Sequence, residues 1–428
     1  EERYYTIRDS LLGRVAVAED LDSATAIARK TGYRLRVVSL DGQVVNAGGS
    51  LTGGSKGRSS GLLSRAAEIQ QVREKAAALQ KQAEAAQQEF RLRQEEFSAS
   101  EAELDAARGE GLKVGLYYSL LDWYHPDYPH YGDLHHPMRD NPAYTNEGRD
   151  FNRYLTYLHN QVRELCTNYG KLDLLWFDFS YENENAVMRG EAWRATELVN
   201  MVRQLQPDVI IDNRLEVSGE GFGSLWECNP TPYHGDFVSP EQIIPPAGIQ
   251  DKQGRDMVWE ACITMNNHWG YCAEDRFFKP APMLIKKLVE CVSKGGNLLL
   301  NVGPDAKGNI PPQSLEILGE IGAWMKRNGE SIYGCGKAGM EKPDNGRITR
   351  KGNKLYYHLF ESSVGPMPLM GLQREKVSRA RYLATGAEVS LAGDWTSANY
   401  PDVVFANLGP DPVLPDPVDT VLEITLKE

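Results

Sequence analysis

The spacing of hydrophobic residues changes near residue 110 of this chain. In residues 62–108, apolar side chains recur at every third or fourth position, and nine of the eleven positions in the series from Ile69 to Leu104 are apolar. This heptad spacing predicts a long coiled-coil helix, which needs a partner helix. After residue 110, short continuous apolar runs alternate with amphipathic helical stretches, a pattern typical of a parallel sheet covered by helices on both faces.

A small α/β fragment is predicted ahead of the coiled coil. Its elements are a strand at 13–20, a helix at 22–31 and a hairpin at 33–46 that turns at Asp41-Gly42. Asp22 or Ser23 is available to cap the helix. The glycine-rich loop at 46–54 lacks the spacing of a phosphate-binding loop, so we interpret it as a close-packed loop or a linker.

About five strands are predicted after residue 110, at 112–119, 172–179, 208–213, 257–264 and 297–302. Helices alternate with them, at 149–169, 191–206, 281–294 and 312–328. Polar residues at the carboxyl ends of such strands favour a (β/α)8 barrel, whose active site lies there. Because a closed barrel has eight strands, we predict an incomplete one whose missing strands would precede Gly111. The predicted fold class is therefore α/β, with an incomplete barrel and a C-terminal β-sandwich.

Composition supports a junction near residue 110 and narrows the function classes. All 8 Trp, 6 Cys, 8 His and 10 Met residues follow it. The net charge of −12 also lies almost wholly after it, which argues against nucleic-acid binding there. The cysteines form no CxxC pair and no apolar run is long enough to span a membrane, so we predict buried thiols and a cytoplasmic location.

Asp178 is the strongest candidate for catalysis. It ends an apolar run, where a carboxylate is costly unless it faces a cleft or is held by a cap or a salt bridge. Hydrolysis of a glycoside would require a second carboxyl group. The residues alone do not choose among the available glutamates, which are Glu216, Glu220, Glu227, Glu241 and Glu260. His135 and His136 are interpreted as part of a solvated surface loop.

Six motifs follow one another after residue 110: GLKVGLYYSLLDWYHPDYP, LLWFDFSY, IIDNR, GDFVSPEQIIP, WEACITMNNHWGY and KGGNLLLNVGPDAKGNIP. Together they resemble the α-L-fucosidases of glycoside hydrolase family 29. The resemblance implies retaining hydrolysis of α-L-fucosyl glycosides, with a fucosylated glycan as substrate and no metal or cofactor. It implies that Asp178 is the nucleophile and Glu241 the acid/base, with Glu220 as the alternative. The implied substrate-binding residues are Tyr117, Trp176, Arg214 and Trp269.

The resemblance has one clear departure. Members of that family carry a Lys-His-His-Asp-Gly-Phe type of strand end in the first barrel strands, whereas no histidine precedes His125 in this chain. The resemblance therefore implies that the catalytic pair is present while part of the sugar pocket is absent.

The first segment carries a second resemblance. LLGRVAVAEDLDSATAIA and DGQVVNAGGSLTGG, followed by the coil, resemble the hinge of structural maintenance of chromosomes proteins, which implies dimerisation through the hinge or coil. The alternative function is thus a chromosome-structure fragment without catalytic activity. The hydrolase interpretation is preferred because its motifs cover more of the chain. The predicted chimeric chain has four domains: a hinge half at 1–60, a coiled-coil helix at 61–108, a fucosidase barrel at 109–338 and a β-sandwich at 339–428.

Overall fold

The computed structural model describes residues 5–53, 62–129, 135–182, 187–216, 233–391, 393, 395–411 and 413–427. The chain divides into two compact units, Glu1–Ala99 and Ser100–Glu428. Among the described residues, none of the helices combines the length and the hydropathy needed to cross a bilayer.

The first unit contains a four-stranded sheet. After helix α1 (Tyr5–Leu12), the strands in spatial order are β1 (Val15–Ala18), β2 (Arg36–Ser39), β3 (Val44–Val45) and β4 (Leu51–Thr52). Strands β1 and β2 are parallel because helix α2 (Leu21–Lys30) connects them, and the chain then returns antiparallel through β3 and β4. The predicted strand, helix and hairpin are therefore present.

The cap of α2 differs from the prediction. Asp20, rather than Asp22 or Ser23, accepts the backbone N–H of Ser23 at 2.8 Å, because Asp20 is the extended residue immediately before the first turn. Ala24 and Ala28 on α2 are fully buried against the sheet, so a small apolar core holds this fragment together.

Helix α3 spans Leu62–Gly109, which confirms the predicted long helix. Four apolar residues at its heptad positions each expose more than half of their surface: Ile69, Val72, Leu79 and Phe90. These four side chains therefore supply none of the tertiary packing that stabilises most helices in proteins. Leu104, near the end of α3, instead packs against the core of the second unit. The coiled coil itself, which requires a second helix, is not shown.

Parallel strands alternate with helices in the first part of the second unit. The strands are β5 (Gly115–Ser119), β6 (Leu174–Asp178), β9 (Ile210–Ile211), β10 (Glu260–Thr264) and β11 (Asn297–Asn301), with a small hairpin of β7 (Tyr181–Glu182) and β8 (Val187–Met188) after β6. The helices are α4 (Phe151–Asn168), α5 (Ala195–Leu205), α6 (Ala281–Ser293) and α7 (Pro312–Asn328). Each of these five parallel strands and four helices falls within its predicted range.

A sixth parallel segment, residues 237–241, joins β9 to β10. Single bridges connect Asp212 with Phe237 on one side, and Val238 with Trp259 and Glu241 with Cys262 on the other. The prediction of about five strands holds for the continuous strands and omits this segment, because Pro240 has no N–H and the segment therefore forms no continuous ladder.

The six segments form an arc in the order β5, β6, β9, residues 237–241, β10 and β11. Within the described residues, no strand pairs with the outer edge of β5 or of β11. Closure to eight strands would therefore take two further strands, rather than the three predicted.

The apolar stripe of α4 explains how a helix covers this arc. Asp150 caps the helix by accepting the N–H of Asn152 at 3.0 Å. Tyr154, Leu158 and Val162 then recur at a spacing of four and are buried in the same core as β6. Complete burial of each such side chain stabilises the fold by roughly 1.5–3 kcal/mol.

Two antiparallel sheets form the C-terminal part and confirm the predicted β-sandwich. One sheet contains β12 (Gly336–Lys337), β13 (Gly346–Lys351), β14 (Lys354–Leu359), β19 (Thr420–Leu426) and β16 (Val377–Tyr382), in that order. The other contains β15 (Met367–Leu369), β18 (Val404–Asn407) and β17 (Ser390–Leu391), and helix α8 (Trp395–Asn399) contacts β18. The two sheets share one apolar core, and Tyr356 and Val421 of the larger sheet pack against Trp324 on α7.

The cysteines that the structure describes are free thiols. Cys166, Cys262 and Cys291 are buried, as predicted, whereas Cys272 and Cys335 are partly exposed. Burial raises the pKa of the Cys166 thiol to about 11 and that of Cys291 to about 12, so both are uncharged at neutral pH. Cys228 lies outside the described residues.

Candidate active site

The carboxyl ends of β5 and β6 bring three predicted site residues together. Tyr117 and Trp176 are register partners on these neighbouring strands, and their rings stack with centroids 5.6 Å apart. Asp178 follows Trp176 by two positions, so both side chains point to the same face of the sheet. The Tyr117 hydroxyl donates a hydrogen bond of 2.7 Å to Asp178 Oδ2. The carboxylate at the end of this apolar strand thus has a defined orientation.

Arg214 connects the two candidate carboxylates. Its Nη1 donates to Asp178 Oδ1 at 2.9 Å and to Glu241 Oε2 at 3.0 Å. Because both contacts share one nitrogen, these two oxygens lie within about 6 Å of each other, which is compatible with the ~5–5.5 Å between the carboxyl groups of retaining glycosidases and shorter than the ~6.5–9.5 Å of inverting ones. The geometry therefore suits a nucleophile and an acid/base on one glycosidic bond.

The guanidinium of Arg214 is buried and held on all sides. Its Nε donates to Ser239 Oγ at 2.8 Å, its Nη2 donates to the Ser239 carbonyl at 2.9 Å, and its Cζ lies 4.3 Å from the centroid of the Trp176 ring. Burial opposes the charge, but nearby negative charge, chiefly that of Asp178, outweighs it and raises the pKa of Arg214. Arg214 is thus a fixed cation between two acids.

Tyr117 remains a hydrogen-bond donor at any physiological pH. Although 57% of its surface is exposed, its hydroxyl is turned inward onto Asp178. Withdrawal of this hydroxyl from water, and then the negative charge of Asp178, raise the pKa of Tyr117 above its ordinary value. Asp178 therefore receives donors from both sides, Tyr117 on one oxygen and Arg214 on the other.

Two further carboxyl groups belong to neighbouring strands: Asp212 directly follows β9, and Glu260 is the first residue of β10. Asp212 is fully buried, its Oδ1 accepts the N–H of Phe177 at 3.1 Å, and its Oδ2 has no hydrogen-bond partner among the described residues. Burial raises the pKa of Asp212 well above its usual range, and burial also raises the pKa of Glu260. The neutral forms of Asp212 and Glu260 are therefore favoured more than those of exposed carboxyl groups.

Two other described candidates, Trp269 and Glu216, have different hydrogen-bond or ion-pair partners. Trp269 lies in the loop after β10, where its carbonyl accepts a hydrogen bond of 2.8 Å from Asn301 Nδ2, and 41% of its surface is exposed. Glu216 forms an ion pair of 2.7 Å with Arg189. Glu220 and Glu227 lie outside the described residues. The role of Glu241 rather than Glu220 thus stays a prediction, supported by the contact of Glu241 with Arg214.

His135 and His136 do not lie in a solvated surface loop, so that prediction was wrong. His136 exposes 6% of its surface, and its ring meets Trp123 edge-on at 5.6 Å. The His135 ring contacts the rings of Phe179 and Tyr181, at 5.5 and 5.0 Å. The histidine pair is thus packed against Trp123 of its own loop and against Phe179 and Tyr181, which follow β6 and are distant in the sequence.

Ser239 and Asp212 belong to the centre but were not singled out from the sequence. Ser239 precedes Glu241 by two positions, as Asp212 precedes Arg214 and Trp176 precedes Asp178. This period of two along strands is a signal that could have identified both residues. The described residues contain no group of three or more histidine, cysteine, aspartate and glutamate side chains placed to hold a metal ion.

Comparison with known proteins identifies the family. The model of the α-L-fucosidase family matches residues 100–330, which is more than half of the chain. This chain belongs to the α-L-fucosidase family. The first unit, up to Ala99, precedes the residues matched by the family model.

Relatives and solved structures of this family are similar over parts of the chain. The α-L-fucosidase of Dictyostelium discoideum is 30% identical over 235 residues, covering 54% of this chain and 44% of the relative. The tissue α-L-fucosidase of Mus musculus is 31% identical over 234 residues, covering 53% and 44%. The chain thus spans about half the length of the curated relatives it matches.

The solved α-L-fucosidase isoenzyme 1 of Paenibacillus thiaminolyticus is 56% identical, with a TM-score of 0.71 over 76% of this chain and 74% of that one. A second similar structure is a trapped covalent intermediate of a family 29 α-L-fucosidase from Bacteroides thetaiotaomicron, formed with 2-fluoro-fucosyl fluoride. It is 27% identical, with a TM-score of 0.60 over 76% of this chain and 70% of that one.

Proposed function

We propose that this protein hydrolyses terminal α-L-fucosyl glycosides with retention of configuration. The observation that carries the proposal is the bridge from one nitrogen of Arg214 to both Asp178 and Glu241, which keeps the two carboxyl groups as close as a double displacement requires. The family of the chain supports fucose as the sugar.

In the first step, Asp178 attacks the anomeric carbon of the fucosyl group. The bond from this carbon to the glycosidic oxygen breaks, and Glu241 donates its proton to that oxygen. Tyr117 and Arg214 hold the attacking carboxylate through hydrogen bonds to its two oxygens. While Glu241 is protonated, Arg214 still donates to its carbonyl oxygen, so the acid keeps its position.

In the second step, a water molecule attacks the anomeric carbon of the fucosyl ester on Asp178. Glu241, now a carboxylate, takes one proton from that water, and the bond between Asp178 and the sugar breaks to release fucose. Two inversions at one carbon give net retention. Burial raises the pKa of Asp212, which favours its neutral form and limits the negative charge beside the two carboxyl groups.

Hydrolysis of 4-nitrophenyl α-L-fucoside tests the proposal directly. We expect release of 4-nitrophenol. Proton NMR spectra recorded before mutarotation should show α-L-fucose, and not β-L-fucose, as the first sugar product. The 4-nitrophenyl α-glycosides of other 6-deoxyhexoses and 4-nitrophenyl β-L-fucoside should be poor substrates. Inactivity on the α-L-fucoside, or first formation of the β-anomer, would contradict the proposed reaction.

We also propose that α3 pairs with α3 of a second copy. The exposed apolar residues at its heptad positions support this, because a two-stranded coil would cover them. Light scattering should give the mass of a dimer, and Leu79→Glu should shift it toward the monomer. Gln88→Glu, on the opposite face of the heptad, is the matched control and should leave the mass unchanged. A monomer at all concentrations would refute this pairing.

A further inference from the structure

The two candidate catalytic carboxylates share an unusual backbone context. Among the described residues, four that are not glycine have a positive φ: Tyr33, Phe179, Arg194 and Gln242. Two of these four directly follow Asp178 and Glu241. A left-handed conformation at such a residue costs about 1–3 kcal/mol and persists only where the surroundings enforce it. The contacts of Gln242, which has a φ of 55°, show what enforces it there.

Gln242 is attached to β10 through its backbone and its side chain. Its N–H donates to the Cys262 carbonyl at 2.9 Å. Its Nε2 donates to Thr264 Oγ1 at 3.0 Å, and its Oε1 accepts the Thr264 N–H at 3.4 Å. The side chain therefore bridges from the residue after Glu241 to the carboxyl end of the neighbouring strand.

Thr264 is itself immobilised, so Gln242 is attached to a rigid support. Thr264 exposes 1% of its surface, and its hydroxyl donates to the carbonyl of Asn266. The Lys279 ammonium donates to the Thr264 carbonyl at 2.7 Å and to the Asn266 carbonyl at 2.8 Å. The lysine thus fixes both ends of the short turn that holds Thr264.

We propose that Gln242 is a positioning residue for Glu241: its bridge to Thr264 holds the left-handed turn that keeps the acid/base carboxyl beside Asp178. This inference rests on the proposed function and adds a residue to it. Glu241 is the last residue of the 237–241 segment, so the turn at Gln242 determines where that segment ends. Without the bridge, the segment beyond Pro240 would be joined to β10 by backbone contacts alone.

The dependence of the first step on the leaving group distinguishes a displaced acid/base from a general loss of activity. Protonation by Glu241 matters most when the leaving group is a weak acid and little when it is a good leaving group. Loss of Asp178 or of the fold would instead reduce both rates together. The ratio of kcat/KM for 4-nitrophenyl and phenyl α-L-fucoside therefore reports on the position of the acid.

We expect Gln242→Gly to lower kcat/KM for phenyl α-L-fucoside about tenfold more than for the 4-nitrophenyl substrate. Glycine adopts the left-handed conformation readily but has no side chain to bond to Thr264. Thr264→Val, which removes the acceptor hydroxyl, should change the ratio in the same direction. Thr264→Ser, which keeps a hydroxyl, should leave the ratio at its wild-type value. Arg194→Gly is the matched control, since Arg194 has a φ of 51° at the start of α5 and should leave the ratio unchanged.

The possible results are distinguishable. A wild-type chain that cleaves neither fucoside overturns the proposed function and, with it, the role of Gln242. A wild-type chain that is active, with variants that lose both rates by the same factor or lose neither, overturns the role of Gln242 alone. A selective loss with phenyl fucoside in Gln242→Gly and Thr264→Val, absent in Thr264→Ser and Arg194→Gly, supports it.

Discussion

Asp178→Asn is expected to lower kcat by about 10⁴-fold or more while leaving the fold intact. The amide of asparagine has nearly the shape of the carboxylate but cannot form a fucosyl ester. Its carbonyl oxygen can still accept from Arg214, and its nitrogen can face the Tyr117 hydroxyl, so the surrounding contacts survive. The measurements are burst and steady-state kinetics with 4-nitrophenyl α-L-fucoside, alongside thermal unfolding.

Asp173→Asn is the matched control for this substitution. Asp173 immediately precedes β6, where its Oδ2 accepts the N–H of Val114 at 3.0 Å, at the opposite end of the strand from Asp178. We expect this variant to keep its turnover. Turnover by Asp178→Asn close to that of the wild type would remove Asp178 from the role of nucleophile.

Arg214→Met is expected to reduce both activity and stability. Methionine fills part of the buried volume but leaves Asp178 and Glu241 facing each other without a cation. Breaking a buried ion pair in this way costs about 3–5 kcal/mol, and loss of a preorganised donor lowers kcat by about 10²–10³-fold. Chemical denaturation and steady-state kinetics measure the two effects separately.

Two further arginine variants sharpen this test. Arg214→Lys keeps a positive charge but cannot contact Ser239 and both acids at once, so we expect it to recover part of the stability and little of the activity. Arg203→Met removes a partly exposed ion pair of 2.7 Å with Asp236 and should change stability by no more than about 1 kcal/mol. If Arg214→Met is no more harmful than Arg203→Met, the bridge has no role in the centre.

The strand-end residues were predictable because their signal is local. An apolar run that ends in a carboxylate identifies Asp178, and the period of two along a strand places Trp176 on the same face. Arg214 follows a short strand in the same manner. The pattern alone predicted only Asp178, whereas Trp176 and Arg214 were predicted through the family resemblance, whose motifs are also local in the sequence.

The errors arose where distant contacts decide the outcome. Residues 237–241 form their bridges one at a time around Pro240, so no continuous strand pattern marks the sixth segment. His135 and His136 are polar in sequence, but the His135 ring contacts Phe179 and Tyr181, which follow β6, and the His136 ring contacts Trp123. The left-handed turn at Gln242 depends on Thr264, twenty-two positions later. A pattern of neighbouring residues along the chain does not reveal contacts between residues that are distant in the sequence.

The position of Tyr117 on β5 has a consequence for the lifetime of activity. Among the described residues β5 pairs with β6 alone, so the amides on its outer side have no strand to protect them. Fraying of β5 would move the Tyr117 hydroxyl away from Asp178 while the core around α4 stayed intact. Inactivation on warming would then precede cooperative unfolding, and the rate of hydrogen exchange in β5 would set how long the enzyme keeps working.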